Sequence, residues 1–190
     1  MITFQIIYNK FVYRPFIKIK MRACGGNFKL AYSSEIRYPQ YFQIGDDFYA
    51  GPRSYFVTNR NNPVKIGNAV MLGPDCKIIG GNHDAAFINN HMYYNKNIDH
   101  LKGKIEIEDG VWVGANTIII TDACIGEGSI IGAMSLVNRR IPPYCIAVGV
   151  PSKPIKRRFE DNADLIKILN NTRSKYSLEE ILNEYCFFKI

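Results

Sequence analysis

Between Ile107 and Val137 an aliphatic residue returns at every sixth position. The leads are Ile107, Val113, Ile119, Ile125, Ile131 and Val137, and a small or β-branched residue stands four places after each: Val111, Thr117, Ala123, Ser129, Ser135 and Ile141. Gly114, Gly126 and Gly132 directly follow a lead, where a turning chain needs a residue without a side chain. An α-helix repeats at about 3.6 residues and a strand at about 2, so a period of six fits neither. It predicts an all-β solenoid, in which each six-residue step is one short strand plus one turn.

The same period appears earlier and less regularly. Ile66-Gly67, Leu72-Gly73 and Ile78 are six apart, with Val70 and Cys76 at the inner positions, and Ile44-Gly45 with Phe48 opens another stretch. Residues 28–63 therefore read as irregular early coils, with Phe42, Phe48, Tyr55 and Phe56 filling the wide end. Three hexapeptides close one triangular turn, which makes roughly six turns in all. The expected division is an N-terminal cap segment 1–27, a β-helix 28–158 and a C-terminal α-helical cap 159–190. Leu165, Ile166, Ile168 and Leu169 have helical spacing, and Ser177 followed by Glu180 is a capping-box signature. Residues 80–104 break the period with a polar, Asn-rich stretch that contains all three histidines, His83, His91 and His100. A loop of that length inside a compact repeat is expected to be either functional or disordered. It reads as an extrusion from one corner.

The formal charge is +7. Arg139, Arg140, Lys153, Lys156, Arg157 and Arg158 crowd the end of the repeat, a placement that suits a compact phosphate ligand better than a nucleic-acid track. The five cysteines are scattered, with no CxxC pair, so neither a disulfide framework nor a metal site is expected and a reducing, cytoplasmic setting follows. The first twenty residues interleave Lys10, Arg14, Lys18 and Lys20 with Phe4, Ile6, Phe11, Phe16 and Ile17. They lack the uninterrupted apolar run of a signal peptide, and no stretch of the chain is long enough to span a bilayer. Two readings remain open for them: a cap in which Phe4, Ile6, Phe11 and Phe16 close the wide end, or a peripheral membrane contact.

Three segments, IGNAVMLGPDCKIIGGNHD, IEIEDGVWVGANTIIITDACIGEGSIIGAMSLVNRRIPP and AVGVPSKPIKRRF, resemble the hexapeptide-repeat acyltransferases. The resemblance covers roughly residues 44–159 and is nearest the galactoside and maltose acetyltransferases and the O-acetyltransferases of bacterial surface polysaccharides. It implies a left-handed parallel β-helix, acetyl-coenzyme A as donor, a sugar or glycan acceptor and a homotrimer with no nucleic-acid partner. His83 matches the family's general base, and an imidazole with an ordinary pKa near 6.5 suits removal of a hydroxyl proton at neutral pH. No Ser or Cys has the context of a nucleophile elbow, which favours direct transfer over an acyl-enzyme. The resemblance also implies coenzyme contacts at Trp112, Ala115, Ala133, Asn138, Arg139, Lys156 and Arg157, leaving open whether Arg139 or Arg140 meets a phosphate. Asn82, Asp84 and Arg53 are the candidates on the acceptor side. Arg53 stands where sugar-acetylating relatives have an amide, a departure from a galactoside-like acceptor.

Other functions use related architecture. A zinc carbonic anhydrase would need three histidines drawn from separate coils, whereas these share one loop. Antibiotic or serine acetyltransferases are the alternatives within the family, and a non-catalytic repeat scaffold would have no use for a loop histidine.

Overall fold

The computed structural model describes residues 2–95 and 100–190. Each coil contributes one strand to each of three faces of a triangular prism. The first coil holds β1 (Ala23–Cys24), β2 (Lys29–Leu30) and β3 (Glu35–Arg37), and the second β4 (Phe42–Ile44), β5 (Tyr49–Ala50) and β6 (Tyr55–Val57). The third holds β7 (Val64–Ile66), β8 (Met71–Leu72) and β9 (Lys77–Ile79). Beyond the loop come β10 (Ile105–Ile107), β11 (Trp112–Val113) and β12 (Ile118–Ile120), then β13 (Cys124–Ile125), β14 (Ile130–Ile131) and β15 (Leu136–Val137). The sixth coil stops after β16 (Arg140–Ile141) and β17 (Cys145–Val148). There β18 (Lys153–Arg157) folds back antiparallel on β17. All other pairings are parallel, from each coil to the next. The expected solenoid of about six turns is what forms. Its first rung begins at Ala23, ahead of residue 28, where the sequence first suggested coils.

The periodic residues do what their spacing requires. All six leads and all six residues four places later are buried. Phe28 stacks on Phe48 at 5.6 Å, and Phe48 meets Phe56 edge-on at 6.4 Å, which fills the wide end as expected. Tyr55 is the exception: it points outward on the third face, where the Arg37 guanidinium lies 5.6 Å from its ring. The corner between the second and third faces repeats one backbone shape. Arg53, Asp75, Asn116 and Met134 occupy its same step in successive coils, each with φ close to +60°. The glycine two residues before Asn116 is demanded by space: a Cβ on Gly114 would lie 2.5 Å from the Ala133 nitrogen in the next coil.

Both ends are covered by helices. At the start, α1 (Ile2–Tyr8), a π-helical turn (Asn9–Tyr13) and α2 (Arg14–Lys20) run as one rod across the open first coil. Asn9 Nδ2 donates to the Ala31 carbonyl at 3.3 Å, the Tyr13 hydroxyl accepts from Ile36 N–H at 2.8 Å, and Lys18 Nζ donates to the Gly25 carbonyl at 2.7 Å. These contacts occupy polar backbone groups that an end coil otherwise leaves unpaired. The side chains that face the coil are Asn9, Tyr13, Ile17 and Met21, whereas Phe4, Ile6, Phe11 and Phe16 are exposed. The rod caps the wide end, but through a different row from the aromatic one expected. At the other end, α3 (Asn162–Thr172) and α4 (Leu178–Phe188) bury Leu165, Leu169, Ile181 and Tyr185, and Ser177 with Glu180 forms the full capping box. The Tyr185 hydroxyl donates to the Tyr144 carbonyl at 2.7 Å, and Arg140 ties the last coil to Glu184 at 2.5 Å.

Crowding at the corner gives a direct test. Gly114→Ala should destabilise by about 1–3 kcal/mol, because backbone rather than a flexible side chain blocks the new methyl. Gly26→Ala, whose Cβ would meet nothing nearer than Asp46 Oδ1 at 3.5 Å, should change stability by less than about 0.5 kcal/mol. Thermal unfolding midpoints of the two variants check the contrast.

Candidate active site

The extruded loop leaves the solenoid at the corner between the third and first faces, and a short turn in the preceding coil builds its base. The Thr58 hydroxyl donates to the Asn62 carbonyl, while Asn59 Oδ1 accepts from Asn61 N–H at 2.9 Å and Asn62 Nδ2 at 3.0 Å. Asn62, 2% exposed, also reaches the Leu101 carbonyl at 3.4 Å, and Gly103 N–H donates to the Asn61 carbonyl at 3.0 Å. On the outgoing side Gly80 N–H donates to the Val57 carbonyl at 2.8 Å. Gly81, with φ +104°, donates to the Thr121 hydroxyl at 2.9 Å. Both ends of the loop are thus pinned to rigid backbone. His83 follows two residues later, exposed and making no side-chain hydrogen bond among the described residues. A ring held by its backbone but unpaired at its nitrogens is open to an incoming hydroxyl.

Asn82 is exposed beside it. Asp84, expected to orient the imidazole or hold a sugar, instead clasps the loop. Its Oδ1 accepts from Ala86 N–H at 3.0 Å, and its Oδ2 from Asn95 Nδ2 at 3.3 Å and His100 Nε2 at 3.2 Å. The carboxylate side chain is only 17% exposed. His100, given no role from the sequence, is half of this clasp. Thr121 and His100 are the residues that sequence reasoning missed. Each works through a contact about 40 or 16 residues distant, with no local pattern to announce it.

The coenzyme candidates lie elsewhere. Ala115 and Ala133 stack on the corner between the second and third faces, each between a glycine (Gly114, Gly132) and an outward-aimed side chain (Asn116, Met134). Trp112 stands half-exposed on the second face, between Met71 and Ile130. Arg53 shares the alanine corner, with its guanidinium paired to Asp75 at 2.9 and 2.6 Å, which holds the Asp75 carboxyl below the usual carboxylate range. Asn138 and Arg139 lie on the loop corner two coils further on, Arg139 Nε donating to Asn138 Oδ1 at 3.3 Å. Arg140 is committed to Glu184, whereas Arg139 is exposed. Lys156 is exposed on β18. Arg157 is half-buried, its guanidinium 5.0 Å from the Tyr185 ring and its Nε donating to the Ile190 carbonyl at 3.4 Å.

Within one chain, therefore, the histidine loop and the alanine corner occupy opposite edges of the third face. Val57, Ile79, Ile118, Ile120 and Leu136 cover that face, partly buried. A cavity of about 760 Å³ lies elsewhere again, under the C-terminal helices among Lys65, Glu108, Tyr144 and Arg158. It is the seam between solenoid and cap, and it contains none of the candidate residues. Cys76 and Cys145 are fully buried, and burial pushes their thiols up to about 11 and about 12, which opposes the thiolate a nucleophile needs. Among the described residues no three His, Cys, Asp or Glu side chains are grouped to hold a metal.

Residues 104–139, the fourth and fifth coils, match the family described as bacterial transferase hexapeptide (six repeats). The galactoside O-acetyltransferase of Escherichia coli is 31% identical over 122 residues, 62% of this chain. The fourth and fifth coils carry the hexapeptide repeat of that transferase family, and the curated relatives that the chain resembles are named acetyltransferases. The chain spans 58% of the length of that E. coli relative. A maltose O-acetyltransferase of Clostridium difficile superposes with a TM-score of 0.64 at 24% identity, covering 84% of this chain and 89% of that one. A hexapeptide-repeat acetyltransferase of Vibrio cholerae, solved with acetyl coenzyme A, gives 0.64 at 20% identity over 77% and 76%. Both likenesses concern the fold, which is the expected left-handed parallel β-helix.

Breaking the clasp should loosen the loop and little else. Asp84→Ala is expected to speed proteolytic nicking within residues 85–95 several-fold while leaving the unfolding midpoint within about 1–2 °C, since the loop adds no strand to the solenoid. Limited proteolysis followed by mass spectrometry, beside a thermal melt, checks both halves.

Proposed function

We propose that the chain is an acetyl-coenzyme A-dependent O-acetyltransferase whose acceptor is a sugar hydroxyl, in the assembly of a bacterial capsule, O-antigen or exopolysaccharide. One observation carries the reading: an unpaired histidine held at a fixed point just beyond a family-specific coil, with its loop pinned at both ends. His83 would take the acceptor's proton as the hydroxyl oxygen attacks the thioester carbonyl. The new C–O ester bond forms, the C–S bond breaks, and the leaving thiolate recovers the proton from the imidazolium. Galactoside and maltose acetyltransferases among the relatives support a sugar acceptor, and the acetyl-coenzyme A complex of the V. cholerae relative supports the donor.

The split of the candidate residues between two corners supports a homotrimer, in which the loop of one solenoid meets the alanine corner of its neighbour. The small side chains of Ala115 and Ala133 beside Gly114 and Gly132 would let a pantetheine arm approach and hydrogen-bond to backbone. Trp112 would border the arm, and Asn138, Arg139, Lys156 and Arg157 would meet the nucleotide and its phosphates through charge-assisted hydrogen bonds. Asn82 and Arg53 would face the acceptor. The setting would be cytoplasmic, where a lipid-linked acceptor is presented at the inner face of the membrane.

His83→Ala should lower turnover by about 10²–10⁴ with fold and coenzyme binding retained. Acetyl transfer from acetyl-coenzyme A to a panel of sugars and oligosaccharides, with antibiotics alongside, reads it. A variant that keeps most of its turnover removes His83 from the chemistry, and acetylation of an antibiotic alone replaces the acceptor. Lys156→Ala should raise the KM for acetyl-coenzyme A several-fold with kcat nearly unchanged. Arg157→Ala should add a lower unfolding midpoint, because that guanidinium also packs on Tyr185. Steady-state kinetics with coenzyme A and its 3′-dephospho form separate the phosphate contact from the packing.

A further inference from the structure

The N-terminal rod is turned inside out for a surface helix. Its side chains fall in four rows at a spacing of four, a repeat that the π-helical turn helps to maintain. The row against the first coil includes polar Gln5 and Asn9, and Asn9 is buried there at 4% exposure, accepting from Arg14 Nε at 2.7 Å. The row facing away from the solenoid holds Ile7, Phe11 and Ile19, and the flank on one side of it adds Phe4, Val12 and Phe16. Among these, Phe4 is 72% exposed, Phe11 66% and Ile19 84%. A helix of a soluble domain ordinarily buries its apolar stripe. Here the stripe points out along the solenoid axis, on an end that the rest of the chain leaves uncovered.

Cations border the same stripe. Lys10, Arg14, Lys18 and Arg22 form one flanking row, and Lys20 stands on the other side. Lys10 Nζ lies 5.1 Å from the Phe11 ring centre and Lys20 Nζ 4.1 Å from that of Phe16, so charge and ring meet the exterior at one level. No acidic residue precedes Glu35. That charge pattern decides between occupants. A second copy laid on this face would set cations against cations with no carboxylate on either rod, a repulsive arrangement. A surface that is apolar below an anionic layer answers both features, and aromatic and basic side chains are the ones favoured at such a boundary.

We propose that the rod docks the protein on the anionic headgroups and outer acyl layer of a phospholipid bilayer, lying in the interface and not crossing it. Among the described residues no helix is long and apolar enough to cross a membrane. The proposal is independent of acyl transfer, and its test reads binding alone. The intact protein is sedimented with vesicles of phosphatidylcholine, and with vesicles in which roughly one third is phosphatidylglycerol, at low and at raised salt. It should pellet with the anionic vesicles and remain in solution with the neutral ones. Lys10→Gln with Lys20→Gln should cut partitioning about tenfold or more. Phe11→Asp with Ile19→Asp should cut it at least as much, with the unfolding midpoint and the oligomeric state unchanged. Ile19→Asp alone serves if the pair fails to fold. An intact protein that stays in solution with anionic vesicles at low salt overturns the proposal, as does equal binding to both compositions. So does an aspartate variant that keeps full vesicle binding, or one that changes the oligomeric state instead, which would assign the face to another copy of the chain.

Discussion

Axial stacking governs this molecule. Each coil hangs from the next by parallel backbone hydrogen bonds, as where Gly73 N–H donates to the Val113 carbonyl and Gly114 N–H to the Ile131 carbonyl, both at 2.8 Å. For those bonds to repeat, every corner must lie directly over the one below, with almost no room between them. Gly114 and Gly132 meet that demand by having no side chain, and Arg53, Asp75, Asn116 and Met134 meet it with a left-handed backbone that aims the side chain outward. The interior is equally constrained: aromatic rings fill its wide end, and small or aliphatic groups fill the coils beyond. A solenoid built this way has little freedom to place reactive groups on its coils. Chemistry is left to what departs from the stack: the loop at residues 80–104, the hairpin strand β18 and the two ends.

What the sequence made legible follows the same line. The leads from Ile107 to Val137, the buried Cys76 and the Ser177–Glu180 capping box depend on neighbours a few residues away or on the repeat itself, so they could be read directly. Long contacts without a period could not. The Thr121 anchor and the reach of Asn62 to Leu101 join positions whose nearness exists only after the coils have stacked, and the Asp84–His100 clasp joins two parts of the loop sixteen residues apart. The N-terminal segment was legible as a cap and no further: its apolar side chains leave open whether Phe4 and Phe11 close the wide end or face outward, and only the packed rod shows them exposed. β18 was hidden because its exposed pattern, Lys153 to Arg157, has neither an apolar alternation nor the hexapeptide period.

The candidate site was legible in its members and not in its layout. Matching residues one by one gives His83, Ala115, Ala133, Arg139 and Lys156, yet it does not say that the first belongs to one corner and the alanines to another. Pairing also sorted residues that looked alike. Arg140 is held by Glu184 and Arg53 by Asp75, while Arg139 and Lys156 stand exposed. Cationic residues near a coil exit are not equivalent once their carboxylate partners are known.

The hydrogen-bonded ladder takes no notice of the loop. β7 pairs with β10 and β9 with β12, up to Ile79 opposite Ile120, as though residues 80–104 were one ordinary turn. The prism is complete on either side of the excursion, and the hydrogen bonds that tie the excursion to the coils through Gly80, Gly81, Leu101 and Gly103 lie at its two ends. Selection can therefore lengthen, shorten or rewrite the segment between Asp84 and His100 without asking the scaffold to fold anew. A chain of this kind separates its inheritance: the coils keep the architecture, while the loop can be exchanged like a cassette.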